Sequence, residues 1–424
     1  MARAGSHQAG SNGGERERAG DPGPRYVVRA GHAFDGSRFL TGGAQVLVDG
    51  GLIVGVEPHR SPGPDGWPVI DHPTGTVLPG LIDTHVHLVG GAEPDALALD
   101  TGRSGAQREQ VIRRSLRQHL EQGVTTVRDL GDTQWAVLDR EAQDGEPSVV
   151  ASGPPITSPG GHCAAMGGEA SGAPALTALV ARRHERGAQA VKIMVSGGAM
   201  TAGSDLLELQ FGLDDVRLVV DEAHRRGLPV TAHAHSTPSV EVCVAAGVDG
   251  IEHCTCLTAR GIHAPPALVE ALAARGIRVC PTFGRLPGLP RSPQAIEVMQ
   301  RTGMTFQARF EQVGKLFTAG VPILAGSDAG IHPAKPHGVL AYSVAELVQA
   351  GLPAAAALAA ATSAAADACG LGGSRGRLHP GMAADLLVVE GDLAKDVAAL
   401  TRPRLVVLRG RAVPLSDAAP PARS

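Results

Sequence analysis

The stretch Val77-Leu-Pro-Gly-Leu-Ile-Asp-Thr-His-Val-His-Leu88 is an apolar run that closes on two histidines, His85 and His87. It predicts a strand that carries metal ligands. Side chains alternate between the two faces of a strand, so His85 and His87 project the same way, and two neighbouring imidazoles can hold one divalent cation. A histidine pair of this spacing is also compatible with two solvated side chains on a strand. The metal interpretation therefore requires further ligands elsewhere in the chain.

From residue 80 onward the sequence repeats a strand followed by a helical stretch. Helices that end in Gly precede several of the strands, as in Gln122-Gly-Val and Ala319-Gly-Val, where Gly supplies a left-handed cap. Eight such units predict an α/β fold of the (β/α)8 TIM-barrel type, whose active site lies at the C-terminal ends of the strands. The predicted strands cover residues 80–87, 125–130, 148–152, 190–196, 229–235, 250–253, 278–282 and 322–327.

The two ends of the chain have a different sequence pattern, in which short runs of β-branched residues are separated by turn residues. Asp49-Gly-Gly51 between two such runs predicts a hairpin. Similar runs return at 385–389 and 404–409, so both ends are expected to build one small β-sandwich domain. The predicted domains are this sandwich (26–78 plus 378–415) and the barrel (79–377), preceded by a disordered leader (1–25) and followed by a flexible tail (416–424).

Composition points to a small-molecule or short-peptide partner. The chain has 424 residues, enough for a barrel and a smaller domain, and its net charge of −4 does not favour nucleic acid or an anionic membrane. The six cysteines form no Cys-x-x-Cys pair, and residues 1–25 contain no apolar stretch that would serve as a signal peptide. The expected location is the cytoplasm. The Ala-rich segment 353–371 contains polar residues and predicts a soluble helix rather than a membrane span.

Further metal-binding side chains lie where the predicted barrel requires them. Taken singly, each has an ordinary structural interpretation, such as a hydrogen-bonded core histidine or a turn aspartate. Their joint occurrence at the ends of the predicted strands favours a metal centre. The set adds to the first histidine pair Lys192 on strand 4, His233 on strand 5, His253 on strand 6 and Asp328 on strand 8.

With these residues in place, the sequence resembles the amidohydrolase superfamily over nearly all of residues 26–414. The motifs that carry the resemblance are Pro79-Gly-Leu-Ile-Asp-Thr-His-Val-His87, Gly250-Ile-Glu-His253, Gly326-Ser-Asp-Ala-Gly330 and Pro380-Gly-Met-Ala-Ala-Asp-Leu-Leu-Val388. Within the superfamily the chain looks most like the imidazolonepropionase-related and Xaa-Pro dipeptidase-like branch. That placement depends on Lys192, Ser196-Gly-Gly198, Gly160-Gly-His162 and Ala232-His-Ala-His235.

The resemblance implies two divalent cations, most often Zn²⁺, with Mn²⁺ or Co²⁺ as alternatives. Carboxylation of Lys192 by CO₂ would turn a poor ligand into an anionic bridge between them, whereas an ion-pairing strand lysine is the ordinary alternative. Mononuclear deaminases of the superfamily commonly carry Glu at the position of Ser236, which weakens a deaminase interpretation. The implied ligands are His85, His87 and Asp328 for one metal and His233 and His253 for the other.

The implied chemistry is hydrolysis of an amide-like C–N bond by a metal-bridging hydroxide. Asp328 would shuttle the proton, and His162 and His235 would polarise the carbonyl or hold a substrate carboxylate. The Gly-rich segment 197–212 is either a lid over the substrate or an ordinary surface loop, and His337 lies on a predicted solvated rim.

Small peptides or N-acyl amino acids are the expected substrates, with Xaa-Pro dipeptides foremost. Two alternatives stay open: a hydrolase of cyclic amides or amidines in modified-peptide or secondary metabolism, and a noncatalytic, metal-free scaffold. The resemblance also implies a homo-oligomer.

Overall fold

The computed structural model describes residues 23–291 and 293–415. Its strands are β1 (Tyr26–Phe34), β2 (Phe39–Leu40), β3 (Ala44–Asp49), β4 (Leu52–Pro58), β5 (Val69–Pro79), β6 (Leu81–Val86), β7 (Val124–Asp129), β8 (Ser148–Ala151), β9 (Val191–Met194), β10 (Val230–Ser236), β11 (Gly250–Thr258), β12 (Gly261–Ile262), β13 (Arg278–Cys280), β14 (Leu386–Glu390), β15 (Pro403–Leu408) and β16 (Arg411–Ala412). Its α-helices are α1 (Ala96–Asp100), α2 (Gly105–Glu121), α3 (Ala173–Glu185), α4 (Leu213–His224), α5 (Thr237–Ala246), α6 (Pro266–Ala274), α7 (Pro293–Thr302), α8 (Phe306–Thr318), α9 (Leu340–Gln349), α10 (Ala354–Ala360) and α11 (Ser363–Ala368).

Both chain ends contribute strands to one sheet of eight strands. Its order is β16-β15-β14-β5-β1-β3-β4, with β2 added beside β1. The long strand β5 joins the two ends, because it pairs in parallel with β1 and antiparallel with β14. The hairpin predicted at Asp49-Gly-Gly51 connects β3 to β4, with Asp49 opposite Leu52. Buried side chains from both ends, among them Val28 and Leu386, pack into one apolar cluster.

The stretch that begins at Val77 passes from this sheet into a second group of strands. Gly80 forms the junction between β5 and β6, and a Cβ atom there would lie 2.3 Å from Thr125 Oγ1. Only Gly therefore allows the backbone to approach β7 this closely. Gly80 N donates a hydrogen bond of 2.8 Å to Asp385 O, which ties the junction to the C-terminal end of the chain.

Strands β6 to β11 and β13 pair in parallel and most are separated by helices, which makes the fold α/β, while the two-residue strand β12 pairs antiparallel with β11. One ladder runs β6-β7-β8, and another joins β9, β10, β11 and β13. Isolated parallel bridges extend the pairing from Ile156 to β9, from β13 to Ile323, and from Val86 to Ala329. Consecutive parallel strands present their C-terminal ends at one edge. This edge carries the side chains of the candidate site.

The segment predicted as the eighth strand, 322–327, does not form a regular strand. Isolated bridges and the side chain of Asp83 hold it instead: Asp83 Oδ1 accepts a hydrogen bond from Ser327 N at 2.9 Å, and Oδ2 accepts one from Ser327 Oγ at 2.5 Å. The carboxylate thus replaces part of a backbone ladder. Asp328 N completes the contact by donating to His85 O at 2.7 Å.

The Ala-rich segment predicted as one helix forms two, α10 and α11, because the backbone leaves the helical region at Thr362. Within the described residues, no helix combines the length and apolar character needed to cross a membrane. Residues 1–22 of the predicted leader and the whole predicted tail lie outside the part of the chain that the structure describes.

Candidate active site

A cavity of about 220 Å³, open to solvent, lies at the C-terminal edge of the parallel strands. Its lining includes every side chain that the sequence singled out for chemistry. These are His85, His87, His162, Lys192, His233, His235, His253 and Asp328.

The first group of candidate metal ligands combines two histidines at the end of β6 with an aspartate that follows the segment 322–327. Asp328 Oδ1 lies 3.4 Å from Nε2 of His85 and 3.4 Å from Nε2 of His87. All three side chains are buried. Two imidazole nitrogens and a carboxylate oxygen so arranged have the chemistry of a divalent-cation site.

A second group is formed by three histidines on neighbouring strands. The ring centroids of His233 and His253 are 4.5 Å apart, and those of His233 and His235 are 4.6 Å apart. Candidate ligand atoms of the three residues all lie within 4.8 Å of one another. The sequence analysis assigned His235 to substrate, yet its ring lies as near to the pair as a ligand would. The ring centroid of His85 is 5.5 Å from that of His253, so the two groups adjoin.

Hydrogen bonds orient the four histidines predicted as ligands. Each uses one ring nitrogen to donate to a protein oxygen, which leaves the other nitrogen with a free lone pair. For His253 the direction is defined, because the Thr282 hydroxyl donates to Pro281 O and so accepts from the ring. Such pairing is typical of metal-binding histidines. The contacts are His85 Nδ1 to Glu252 at 2.8 Å, His87 Nδ1 to Gly131 O at 2.9 Å, His233 Nε2 to Gly197 O at 3.0 Å and His253 Nδ1 to Thr282 Oγ1 at 2.8 Å.

Lys192 lies on β9 with its side chain only 1% exposed. Burial lowers the pKa of Lys192, and the negative charges of Glu252 and Asp328 oppose this effect only in part. Those two carboxylates form their close ion pairs with Arg128 and with the site histidines. The geometry thus gives little support to the ordinary alternative of an ion-pairing strand lysine.

His162 and His235 complete the ring of histidines. His162 Nδ1 lies 2.9 Å from Thr201 Oγ1, and its ring centroid is 4.7 Å from that of His233. Burial lowers the pKa of both His162 and His235 to about 3, so both are neutral near pH 7. A Cβ on Gly198 would lie 2.3 Å from His162 Nε2, which explains why the segment after β9 carries Gly there. Residues of that segment cover one side of the cavity.

The site backbone adopts unusual conformations at three residues. His253, Thr282 and Asp328 have φ angles of +67°, +52° and +57°. A left-handed backbone is costly for a residue with a Cβ, above all for a β-branched one. Tertiary packing therefore holds these side chains in positions that an extended strand would not give.

Sequence reasoning missed a buried polar network beneath the histidines. Glu252 Oε1 accepts hydrogen bonds from Arg128 Nη2 at 3.0 Å and Thr231 Oγ1 at 2.6 Å, while Oε2 receives His85 Nδ1. Burial would raise the pKa of Glu252, but these cationic and hydrogen-bonding partners hold it below its ordinary range. The available signal was a pair of opposite charges, Arg128 and Glu252, within two strands whose residues are mostly buried.

Replacing Glu252 by Ala is expected to lower the free energy of unfolding by about 3 kcal/mol, because it leaves Arg128 buried without its partner. Urea unfolding monitored by circular dichroism measures this change. Glu270→Ala on the exposed face of α6 is the matched control and should change stability little. Equal effects of the two substitutions would contradict the structural importance of the network.

The sequence analysis predicted that His337 lies on a solvated rim, and this prediction is wrong. Its side chain is buried, with Nδ1 3.0 Å from His119 Nε2 and Nε2 donating to Gly90 O at 2.7 Å. The reason is that the loop after residue 330 folds back against α2 instead of entering solvent. All six cysteines are free, and Cys254 and Cys256 are buried.

Known proteins are similar to this chain over most of its length. An uncharacterized protein of Mycobacterium tuberculosis is 30% identical over 349 residues, which cover 80% of this chain and 85% of that protein. Imidazolonepropionase of Salinispora arenicola is 25% identical over 397 residues, covering 86% and 90% of the two chains. The crystal structure of a prolidase in complex with N-methylphosphonate-L-proline superposes with a TM-score of 0.77 at 25% identity, covering 92% of this chain and 99% of that chain.

These relatives confirm the branch that the sequence motifs suggested. The family model for the amidohydrolase family matches residues 76–413, a span that runs from the end of β5 past β16 and contains every candidate site residue. The chain belongs to the amidohydrolase family.

Proposed function

We propose that this hydrolase is a binuclear metal-dependent amidohydrolase that cleaves an amide-like C–N bond. The observation that carries the proposal is the double donor set: His85, His87 and Asp328 in one group, and His233 with His253 in the other. Four histidines keep one ring nitrogen free because the other is hydrogen-bonded, which fits divalent cations such as Zn²⁺, Mn²⁺ or Co²⁺.

The architecture around this centre is proposed to be the (β/α)8 barrel with a β-sandwich. The parallel ladders and isolated bridges lead from β6 through β13 and the segment at Ile323 back to Val86. Residues 79–377 would form the barrel, and 26–78 with 378–415 the sandwich. A cytoplasmic location, which the free cysteines support, stays a prediction.

The reaction follows from the positions of the protein's own groups. Two bound cations would supply Lewis-acid chemistry, activating water and polarising the scissile carbonyl. His85, His87, His233 and His253 would hold them, with a carboxylated Lys192 as bridging ligand. Asp328 accepts the proton lost by the attacking water and delivers it to the departing amine as the C–N bond breaks. His162 and His235, both neutral, orient the carbonyl oxygen by hydrogen bonding.

The proposed substrates are small peptides or N-acyl amino acids, including Xaa-Pro dipeptides. The 25% identity to a prolidase bound to a proline phosphonate supports this class. Cyclic amides are the second candidate, because the loops that shape the cavity determine the choice within one fold. A metal-free scaffold would not need ordered ligand histidines, and the donor set therefore argues against it.

Removal of metal is expected to abolish hydrolysis. Dialysis against a chelator should reduce amide cleavage to background, and Zn²⁺, Mn²⁺ or Co²⁺ should restore it at two equivalents per chain. Elemental analysis and hydrolysis of a panel of dipeptides and N-acyl amino acids with bicarbonate present provide the measurement. Full activity with less than one bound equivalent would overturn the binuclear proposal.

A further inference from the structure

The cavity around the candidate metal centre is rich in cations and poor in acids. Its lining contains Arg285, Arg291, Arg309 and Lys335, and its only carboxylate is Asp328. In the described residues none of these four cations forms an ion pair with an acidic side chain. Such a cavity attracts anionic ligands and offers no free partner for an ammonium group.

Two of the four cations, Lys335 and Arg309, lie within electrostatic range of Asp328. Arg309 lies on α8, and its positive charge lowers the pKa of His235, although burial lowers that pKa more. Burial lowers the pKa of Arg309, and the negative charges of Glu346 and, more weakly, Asp328 oppose this effect. The Arg309 guanidinium therefore lies within electrostatic range of the histidines and of Asp328.

Arg309 is held in place yet retains donor capacity. Nη2 donates to Pro281 O at 2.6 Å, and the guanidinium carbon lies 5.2 Å from the centroid of the Phe283 ring. A guanidinium has five N–H donors in a planar fork that matches a carboxylate. Among the described residues the Arg309 side chain makes no other hydrogen bond, so its remaining guanidinium donors are available to a ligand.

The other cations are less suitable for this role. Lys335 Nζ donates to Thr282 O at 2.8 Å and to Ser327 O at 2.6 Å, so two of its three donors are used by backbone carbonyl groups. Arg285 and Arg291 lie 5.8 and 4.3 Å from the centroid of the Phe306 ring, and Arg291 is exposed. They belong to the outer part of the cavity.

Part of the cavity wall is apolar and adaptable. Its side chains include Met200, Leu206, Val298, Met299 and Met304. Unbranched Met side chains adjust to apolar groups of different shape. This surface suits a hydrocarbon or aromatic acyl group better than a charged amino terminus.

We propose that Arg309 binds the carboxylate of the substrate's amino acid and that the preferred substrates are N-acyl amino acids with an apolar acyl group. This inference rests on the proposed amide hydrolysis and narrows its substrate class. A free dipeptide would bring an ammonium group into a cavity whose one carboxylate among the described lining residues, Asp328, already contacts His85 and His87. The acyl chain contacts the Met-rich wall, and the substrate carboxylate accepts hydrogen bonds from the guanidinium of Arg309.

The test compares N-octanoyl amino acids with their N-acetyl counterparts, with free dipeptides and with the matching primary amides, which lack the carboxylate. Metal-loaded enzyme should prefer the octanoyl acids, since each added methylene that is buried raises kcat/KM up to about fourfold. Arg309→Gln should raise KM for the acid, lowering kcat/KM about 10- to 100-fold, and leave the primary amide within about threefold. Arg309→Lys should recover part of the loss. Arg260→Gln, an exposed charge in the turn after β11, is the control and should change neither substrate.

Binding separates this inference from the proposed function. Calorimetric titration of N-octanoyl amino acids into metal-loaded Asp328→Asn protein should show the same dependence on Arg309. If wild type cleaves amides but treats acid and primary amide alike, the Arg309 assignment is overturned while amide hydrolysis stands. If free dipeptides are better substrates than N-acyl amino acids, the proposed class is wrong. If no amide is cleaved, the proposed function fails, and the titration alone decides whether Arg309 binds the carboxylate.

Discussion

Replacing Asp328 by Asn is expected to reduce kcat about 10³-fold while the fold is retained, because an amide cannot take up the proton of the attacking water. Asn has the same shape and tolerates the left-handed conformation that the backbone adopts at φ +57°. The neighbouring Oδ1 contacts to His85 and His87 at 3.4 Å would become contacts to a neutral oxygen or nitrogen. Steady-state kinetics on the best amide substrate, together with the far-ultraviolet spectrum and Tm, measure the effect.

The control for this substitution is Asp214→Asn, whose carboxylate is fully exposed at the start of α4 and should not affect kcat. Metal content should be measured for both variants, because Asp328 is also a proposed ligand. Activity of Asp328→Asn within tenfold of wild type would show that another group carries the proton. Loss of activity together with both metals would instead assign Asp328 to metal binding.

Replacing Lys192 by Ala is expected to abolish detectable hydrolysis and to lower the bound metal below two equivalents. The reason is that a carboxylated Lys192 is the proposed bridging ligand between the two donor groups. The matched control is Lys315→Ala, an exposed lysine on α8. Elemental analysis of both variants and kinetics on the same amide provide the measurement.

The proposed carboxylation of Lys192 can be tested separately, by the rate at which activity returns with and without bicarbonate. Enzyme stripped of metal in CO₂-free buffer should recover activity slowly when metal alone is added, and faster when bicarbonate is present. Recovery that is equally fast without bicarbonate, combined with two metals in Lys192→Ala, would contradict the bridging role. The same result would leave the histidine ligands in place and favour a centre without a modified lysine.

Local patterns explain how much of the fold could be predicted. The parallel strands follow from apolar runs and from Gly at helix ends, and most of their observed bounds differ from the prediction by a few residues. The segment 322–327 failed as a regular strand because Asp83, remote in sequence, replaces part of its ladder through Ser327. No local pattern contains such a contact.

The side chains around the centre also divide into those that a local pattern identifies and those that depend on contacts remote in sequence. His85, His87 and Asp328 could be identified because their residue types and strand-end positions carry the chemistry. Glu252 could not, because its role depends on Arg128 from another strand. Arg309 was also missed, since a helical arginine has no distinguishing local pattern.

The sequence by itself determined the succession of strands and helices, the family and the residue types of the candidate ligands, because these depend on neighbours along the chain. Only the tertiary structure decided which ring nitrogens are hydrogen-bonded, where Asp328 lies between two histidines, and which cations line the cavity. These properties depend on distances between segments far apart in sequence, and packing of the whole chain sets those distances.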